Sequence, residues 1–480
     1  MADDISYSIE LVDPLSAMKQ KIYNLLKDTL IFAIGSIGSK LILFILMPIY
    51  TNCLTEAEYG ISELIFSVSQ LLIPFLSLVI FDAVVRFGLS KEDKPEDVLL
   101  IGMLVFLAGS VLTVAITPVI GLYDALAPWK WYLCVYIIFN MLNSITGCYL
   151  KSVDKNRLFA AVNILQTLVL AVLNIVLLVY LRAGVKGYLV STIAASMVAC
   201  LVIFAFGGLL GTLKKARFRP ELLKKMVVYS APLILNNVSW WVIHSSDKVM
   251  IELMIGSAAL GIYTVATKIP SLINVIIAIF SQAWNISSVR EAEGGGDRVF
   301  YSRVFLLYQV LTFGAVIGLN GIIKPFMSFY VGDSFLAAWK YIPLLLAAAA
   351  FSAVSAYFGS LYAALKKSVN NMVTTLVAAA VNIVLNYLWI ERWGLWGAAF
   401  ATLAAYILLS TMRMIDVRRY ISVEISAVRY ILNSCLIVAQ AVFVALAYHI
   451  YLCSAVILVV YIAINVPALL SAVGMRRETS

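Results

Sequence analysis

The chain has 480 residues, a formal net charge of +9, 62% hydrophobic residues and only 13% charged ones. Roughly a quarter of a water-soluble domain is charged, so this composition excludes a soluble protein of the same size. Backbone groups in hydrocarbon must bond internally, which leaves helices or a closed barrel, and apolar runs of about 20 residues exclude the alternating pattern of barrel strands.

Met1 to Lys27 is mixed polar and shows no n-region, h-region or cleavage site of a signal peptide, so the first spanning helix is expected to serve as the insertion signal. Helices are predicted near 29–51, 59–83, 98–120, 131–150, 158–181, 187–212, 227–253, 258–285, 303–325, 340–363, 371–390, 395–412, 430–450 and 453–473. Fourteen spans place both termini on one side. The charges agree. Alternate connections carry Lys19, Lys21 and Lys27, then Arg86, Lys91 and Lys94, then Lys151, Lys155 and Arg157. The same side continues with the basic run from Lys214 to Lys225, Arg290 to Arg303, Lys366 and Lys367, Arg413 to Arg429, and Arg476 and Arg477. The other side holds only Lys130, Arg182, Lys186, Lys324, Lys340 and Arg392. By the positive-inside rule both ends are cytoplasmic. The positive charge therefore reads as topology and not as nucleic-acid binding.

An internal repeat divides the chain. Asn174-Ile175-Val176-Leu177 recurs as Asn382-Ile383-Val384-Leu385, six helices later. A Gly-x-x-Gly turn follows each, at Gly184 to Gly187 and at Gly394 to Gly397. The second and eighth helices also begin alike, at Tyr59-Gly60-Ile61 and Leu260-Gly261-Ile262. An even offset gives two parallel six-helix repeats related by an axis along the membrane normal, a transporter architecture with its site between the halves. The expected fold is an all-α membrane protein of about fourteen transmembrane helices, two six-helix lobes and two further C-terminal helices. Its parts are a cytoplasmic segment 1–28, a first lobe 29–212, a basic linker 213–226, a second lobe 227–412, a basic loop 413–429, helices thirteen and fourteen at 430–473, and a cytoplasmic tail 474–480.

Ionisable residues within spans are expensive and face a cavity or a partner. Lys40 and Lys268 fall about 16 Å and 15 Å into their helices, near mid-bilayer. As compact point charges they would attract an anionic group. Glu63 is a candidate to neutralise a lysine, to carry a coupling proton or to form a local salt bridge. Asp82 and Arg86 have the spacing of an i,i+4 pair, and alternatively Arg86 meets a phosphate headgroup at the cytoplasmic mouth. The seventh helix is the most polar. Asn237, Trp241, His244 and Lys248 share one face, and Asn236, Trp240 and Asp247 form the neighbouring stripe. Such a face should line water, although Asp247 and Lys248 also suit an interface anchor. Pro74, Pro232 and Pro270 either break their helices or shape fixed kinks.

No Gly-x-x-x-x-Gly-Lys-Ser/Thr loop is present, and Glu293-Gly294-Gly295-Gly296-Asp297 lacks the lysine and preceding strand of a phosphate loop. Two histidines and six scattered cysteines show no metal spacing. Neither a catalytic residue, a metal site nor a cofactor is implied.

Three segments carry a family resemblance: Ile49-Tyr50-Thr51 through Glu58-Tyr59-Gly60, Pro232 with Asp247-Lys248-Val249-Met250, and Gly261-Ile262-Tyr263-Thr264-Val265-Ala266. Over almost its whole length the chain resembles the polysaccharide-transport branch of the multidrug/oligosaccharidyl-lipid/polysaccharide exporter superfamily. The resemblance implies a flippase of the bacterial cytoplasmic membrane for oligosaccharide linked to undecaprenyl diphosphate. It implies two lobes rocking between inward-open and outward-open states, with membrane lipids, a polysaccharide polymerase and glycosyltransferases as partners and no nucleic acid. The related lipid II flippase uses basic residues on its first, second and eighth helices, and Lys40, Arg86 and Lys268 stand on the matching helices here. Glu63, Asn237, Trp241, His244, Asp247 and Lys248 are the further cavity or coupling candidates. Two alternatives stay open: a cation-coupled multidrug exporter of the same fold, and a membrane-embedded polysaccharide polymerase or glycosyltransferase.

Overall fold

The computed structural model describes residues 42, 44–90, 92–293, 298–365 and 367–474. Among these residues the regular elements are all helical. In chain order they are α1 (Phe44–Cys53), α2 (Glu56–Leu76), α3 (Ile80–Gly88), α4 (Pro95–Ile120), α5 (Lys130–Ser152), α6 (Asn156–Asn174), α7 (Gly184–Gly207) and α8 (Leu209–Lys215). There follow α9 (Pro220–Met254), α10 (Ser257–Glu293), α11 (Arg298–Tyr330), α12 (Ile342–Ala364), α13 (Ser368–Trp393), α14 (Leu395–Val417), α15 (Ala427–Ala445) and α16 (Ile450–Gly474). Thirteen helices are long and apolar enough to cross a membrane, and α1 is a shorter apolar helix. The thirteen fall at the second to fourteenth predicted positions, and α1 overlaps the end of the first. Lys40, the upstream part of the first span and residues 294–297 lie outside the described residues.

Local chemistry explains the ends. Thr55 and Glu58 cap α2 reciprocally, each side chain meeting the other's backbone amide. Pro95 and Pro220 occupy the first turns of α4 and α9, where a missing N–H breaks no bond. Faces turned away from the protein are apolar. α4 exposes Leu107, Val111 and Val119, and α16 exposes Tyr451, Leu452 and Val459. In water this surface would be unfavourable; against hydrocarbon it is matched.

Two departures from the predicted map have a physical cause. The second span is not continuous to residue 83. It ends at Leu76, turns through Leu78 and Val79 with φ near +50°, and resumes as α3. Pro74 removes one helical hydrogen bond just upstream, and the Ser77 hydroxyl caps the break by donating to the Ile73 carbonyl at 2.7 Å. Pro232 and Pro270 leave α9 and α10 unbroken. The second departure is in the loop predicted at 413–429, because α14 continues to Val417 and carries Arg413 into the interior with 3% of its surface exposed.

The repeat is visible in the backbone. Gly184 and Gly394 both adopt positive φ, +55° and +56°, at the starts of α7 and α14. Without a Cβ they enter this left-handed region at no steric cost. Asn174 donates to the Tyr50 hydroxyl on α1 at 2.9 Å, while Asn382 accepts from Ser246 on α9 at 3.5 Å. In each half the fifth helix is thus fastened to the first by a buried asparagine. α1 to α7 form one lobe, and α9 to α14 the other. The lobes meet where α2 packs on α9 and α10 and α3 packs on α9.

α15 and α16 pack against α11, and α15 also against α12. Apolar helices gain little from burial against each other in lipid, so hydrogen bonds matter more. Asn433 and Asn465 exchange two bonds at 2.9 Å, Gln440 donates to the Ile317 carbonyl at 3.0 Å and Tyr461 donates to the Val310 carbonyl at 2.8 Å. Asn433→Leu is expected to destabilise the bundle by about 1 kcal/mol, within the range of measured intramembrane bonds. Unfolding in detergent titrated with dodecyl sulfate checks this. An unchanged midpoint would remove the reciprocal pair from the forces holding α15 to α16.

Candidate functional site

Between the lobes lies a cavity of about 630 Å³. α1, α2, α5, α6 and α7 line one side, and α9 to α12 and α14 the other. Among the described residues, the charged side chains on its wall are Glu63, Asp247, Lys248 and Lys268. Helix geometry puts them there. Glu63 is two turns into α2, Lys268 three turns into α10, and Lys248 fewer than two turns from the end of α9. α2 runs from the sparsely charged face towards the basic one, and α10 runs the same way, so the charges fall at comparable depths.

Glu63 joins the two lobes. One carboxylate oxygen bonds the Lys248 ammonium, and the other lies 3.5 Å from the Lys268 ammonium. Asp247 is held differently. The Tyr263 hydroxyl and the Lys248 backbone amide both donate to it at 2.8 Å. Neutral donors and helix packing bury its carboxylate within the second lobe. His244 stacks on Trp240, with ring centroids 5.6 Å apart, and its Nδ1 lies 3.3 Å from the Tyr406 hydroxyl.

Towards the sparsely charged face the cavity ends in a layer of tyrosines. Tyr50, Tyr59, Tyr188 and Tyr330 line it, and Tyr50 meets Tyr188 edge to face at 4.9 Å. At and beyond this layer the lobes are in direct contact. The Tyr330 hydroxyl donates to the Phe44 carbonyl at 2.6 Å, and the Gly332 amide donates to the Thr51 hydroxyl at 3.0 Å. α2 and α10 cross in backbone contact at Gly60 and Gly261, where a Cβ on either residue would lie 1.9 Å from the carbonyl oxygen of Ser257 or Glu56. Each of these carbonyls is four residues before the other glycine. The crossing is therefore symmetric about the repeat axis.

Five of the predicted residues converge on the cavity: Glu63, His244, Asp247, Lys248 and Lys268. Trp241 packs across the lobe boundary instead, its indole N–H donating to the Ser67 carbonyl at 2.8 Å. Asn237 turns onto its own helix and donates to the Leu233 carbonyl at 2.9 Å. Arg86 is exposed on α3 and does not line the cavity, and among the described residues no ion pair joins it to Asp82. Lys40 lies outside the described residues. Sequence reasoning passed over Tyr406 and Tyr188 on the cavity wall, because in a chain with 25 tyrosines periodicity does not separate cavity rings from interface rings; it also passed over Tyr263, which holds Asp247 from behind the wall. Tyr263 stands in the segment Gly261 to Ala266 and Tyr188 directly follows the Gly-x-x-Gly turn at Gly184 to Gly187, and these are the signals that could have found them.

Chemically, the wall offers two ammonium groups, two carboxylates and a rim of phenols. Ammoniums attract phosphoryl oxygens as point charges, and aromatic rings present flat apolar faces. Among the described residues, no three His, Cys, Asp or Glu side chains group as metal ligands would.

Residues 25–285, more than half of the chain, match a family model described as polysaccharide biosynthesis protein. Comparison with curated proteins gives no match. Among solved structures, the fold is similar to the lipid II flippase MurJ in an inward closed conformation, at a TM-score of 0.69 and 13% identity over 92% of this chain and 99% of that one. It is also similar to a multidrug resistance MATE family transporter of the MOP superfamily in its inward-facing conformation, at a TM-score of 0.65 and 16% identity over 81% of this chain and 99% of that one. The outward-facing conformation of such a transporter matches at a TM-score of 0.58 and 16% identity over 83% and 95%.

Proposed function

The chain belongs to the polysaccharide biosynthesis protein family, and from that premise we propose that it is a flippase for undecaprenyl-diphosphate-linked oligosaccharide in the bacterial cytoplasmic membrane. The observation that carries the reading is the pair of ammonium groups, Lys248 and Lys268, on the wall of a cavity between two lobes. A diphosphate does not cross hydrocarbon unaided, because moving charge into a low dielectric is costly. Ammonium groups facing the cavity lower that barrier. Alternating access carries the headgroup through the protein while the polyprenyl tail stays in lipid. The tyrosine layer gives the sugars flat faces to stack on. Lys40 is proposed as a third cationic contact, and Arg86, exposed on α3, as the first contact at the cytoplasmic mouth. The positive-inside pattern supports cytoplasmic termini. Glycosyltransferases would supply the lipid-linked glycan and a polymerase would receive it.

The test is the leaflet on which lipid-linked oligosaccharide accumulates in cells depleted of the protein. Build-up on the cytoplasmic leaflet, relieved by the wild type, is the expected result. Lys268→Gln is expected to reduce flipping at least about tenfold, the effect of losing roughly 1.4 kcal/mol of interaction with the headgroup. Full rescue by Lys268→Gln at equal protein level would remove the cationic wall from the mechanism. A second reading, a cation-coupled exporter of cationic drugs, is favoured by the acidic groups Glu63 and Asp247 on the same wall. Unchanged lipid-linked oligosaccharide with increased sensitivity to cationic drugs would select it.

A further inference from the structure

Glu63 sits where an anionic ligand would sit. It belongs to α2 in the first lobe, whereas both lysines belong to the second lobe, on α9 and α10. Its two oxygens are divided between the two ammoniums. Asp247 does not duplicate it, because its oxygens are already engaged by Tyr263 and by the backbone of Lys248. Among the described residues on the wall, two lysines face two carboxylates, so their formal charges balance.

We infer that Glu63 is an internal stand-in for the ligand's phosphate: an entering polyphosphate takes Lys268 and then Lys248 from Glu63, and so unfastens the lobes. The inference rests on the flippase reading and assigns the regulation of that same site. Three observations carry it. The first is charge. A diphosphate beside an ionised Glu63 would gather like charges in a poorly screened space, so the two anions exclude each other. The second is access. The Lys268 side chain is 37% exposed and its contact with Glu63 is 3.5 Å, whereas the side chains of Lys248 and Glu63 are 12% and 10% exposed. Lys268 is therefore the group a ligand reaches first.

The third is position. Glu63 is three residues from Gly60, and Lys268 is seven from Gly261. At helical spacing each charge lies on the same stripe as its glycine. The ion pairs thus fasten α2 to α10 through Lys268 and to α9 through Lys248, beneath the crossing that seals the sparsely charged face. A ligand that binds only when Glu63 has let go binds better to the state with the lobes parted there. Binding then shifts the population towards that state. The empty protein stays fastened, and the loaded one is released.

The test uses inorganic pyrophosphate with the full chain in lipid nanodiscs. Binding is measured by calorimetry, and amide hydrogen exchange is followed over residues 56–64. Glu63→Gln is expected to bind pyrophosphate about tenfold more tightly than wild type, because the competing carboxylate is gone. Lys268→Gln is expected to lose binding. In the wild type, saturating pyrophosphate is expected to speed exchange over 56–64, while in Glu63→Gln exchange is already fast and pyrophosphate adds nothing. Equal or weaker binding by Glu63→Gln, with binding lost in Lys268→Gln, would overturn the stand-in role and leave the flippase reading in place. Unchanged binding by Lys268→Gln would instead overturn the phosphate reading of the cavity, and this inference with it. Should Glu63→Gln not fold, the wild-type exchange measurement still decides, since an unchanged 56–64 segment at saturating pyrophosphate would overturn the release.

Discussion

Gly60→Ala is expected to hold the lobes apart at the sparsely charged face and to stop turnover. The added Cβ would lie 1.9 Å from the Ser257 carbonyl oxygen, 2.8 Å from the carbonyl carbon and 2.9 Å from the Gly261 amide nitrogen. Ordinary contact begins near 3.4 Å. All three atoms are backbone, so no side chain can swing away, and one helix must move by more than an ångström. Overpacking of this kind costs about 1–3 kcal/mol where the surroundings can yield. Two alternating conformations differ by only a few kcal/mol. A penalty of about 3 kcal/mol against the sealed state shifts the balance by roughly 150-fold. Gly261→Ala should act the same way, since its Cβ would lie 1.9 Å from the Glu56 carbonyl oxygen. Gly211→Ala and Gly318→Ala are the controls, because a Cβ at either position meets nothing within 4 Å. The measurement is labelling of a cysteine placed at Met47, on the cavity wall, by an impermeant thiol reagent added to right-side-out vesicles. Labelling at least tenfold faster in Gly60→Ala than with native Gly60 is expected. Equal labelling would mean that the crossing is not the seal.

Arg413→Lys is expected to destabilise the second lobe by about 3 kcal/mol and to be worse than Arg413→Met. The guanidinium is buried between three helices without a carboxylate partner among the described residues. Its donors go to neutral acceptors. Nη1 donates to the Ser355 carbonyl and hydroxyl on α12, both at 3.0 Å. Nη2 donates to the Thr375 hydroxyl at 2.8 Å and the Asn371 carbonyl at 3.4 Å, and Nε to the Thr374 hydroxyl at 3.3 Å, all on α13. The planar fork is what lets one side chain on α14 reach both neighbours. An ammonium keeps the charge but has three donors around one point. It cannot satisfy both helices, and an under-bonded buried charge costs about 3–5 kcal/mol. Methionine removes the charge altogether. Thr374 and Thr375 then keep bonds to the Asn370 and Asn371 carbonyls at 2.9 and 2.8 Å, so few groups are orphaned. Thermal exposure of the buried thiols Cys134 and Cys200 to a fluorogenic maleimide follows unfolding of the whole chain. If Arg413→Lys proves as stable as wild type, the charge alone holds these helices and the fork does not.

Much of the site was readable because intramembrane charge is rare. Glu63, Asp247, Lys248 and Lys268 stood out against long apolar runs, and all four line the cavity. Their pairing was not readable. The Lys248–Glu63 contact spans 185 positions in the chain, and periodicity gives only which face of its own helix each residue occupies. Trp241 and Asn237 show this limit. They share a helical face with His244 and Lys248, yet the crossing of α2 over α9 takes Trp241 onto Ser67 and leaves Asn237 to its own backbone.

The sequence by itself determined that the chain lies in a bilayer as helices, where most of those helices fall, that charge is asymmetric between the two faces, and that the chain repeats after six spans. Each of these follows from local chemistry: transfer of apolar side chains out of water, internal bonding of the backbone and the distribution of Lys and Arg in short connections. Only the tertiary structure decided which charges meet, where the lobes touch, that the second span breaks after Pro74 and that Arg413 turns inward. Those outcomes depend on helix crossings, and crossings are set by close contacts between distant segments. Gly60 and Gly261 are the clearest case, because the sequence marks them as matched positions while only the packing brings each one against the other's helix.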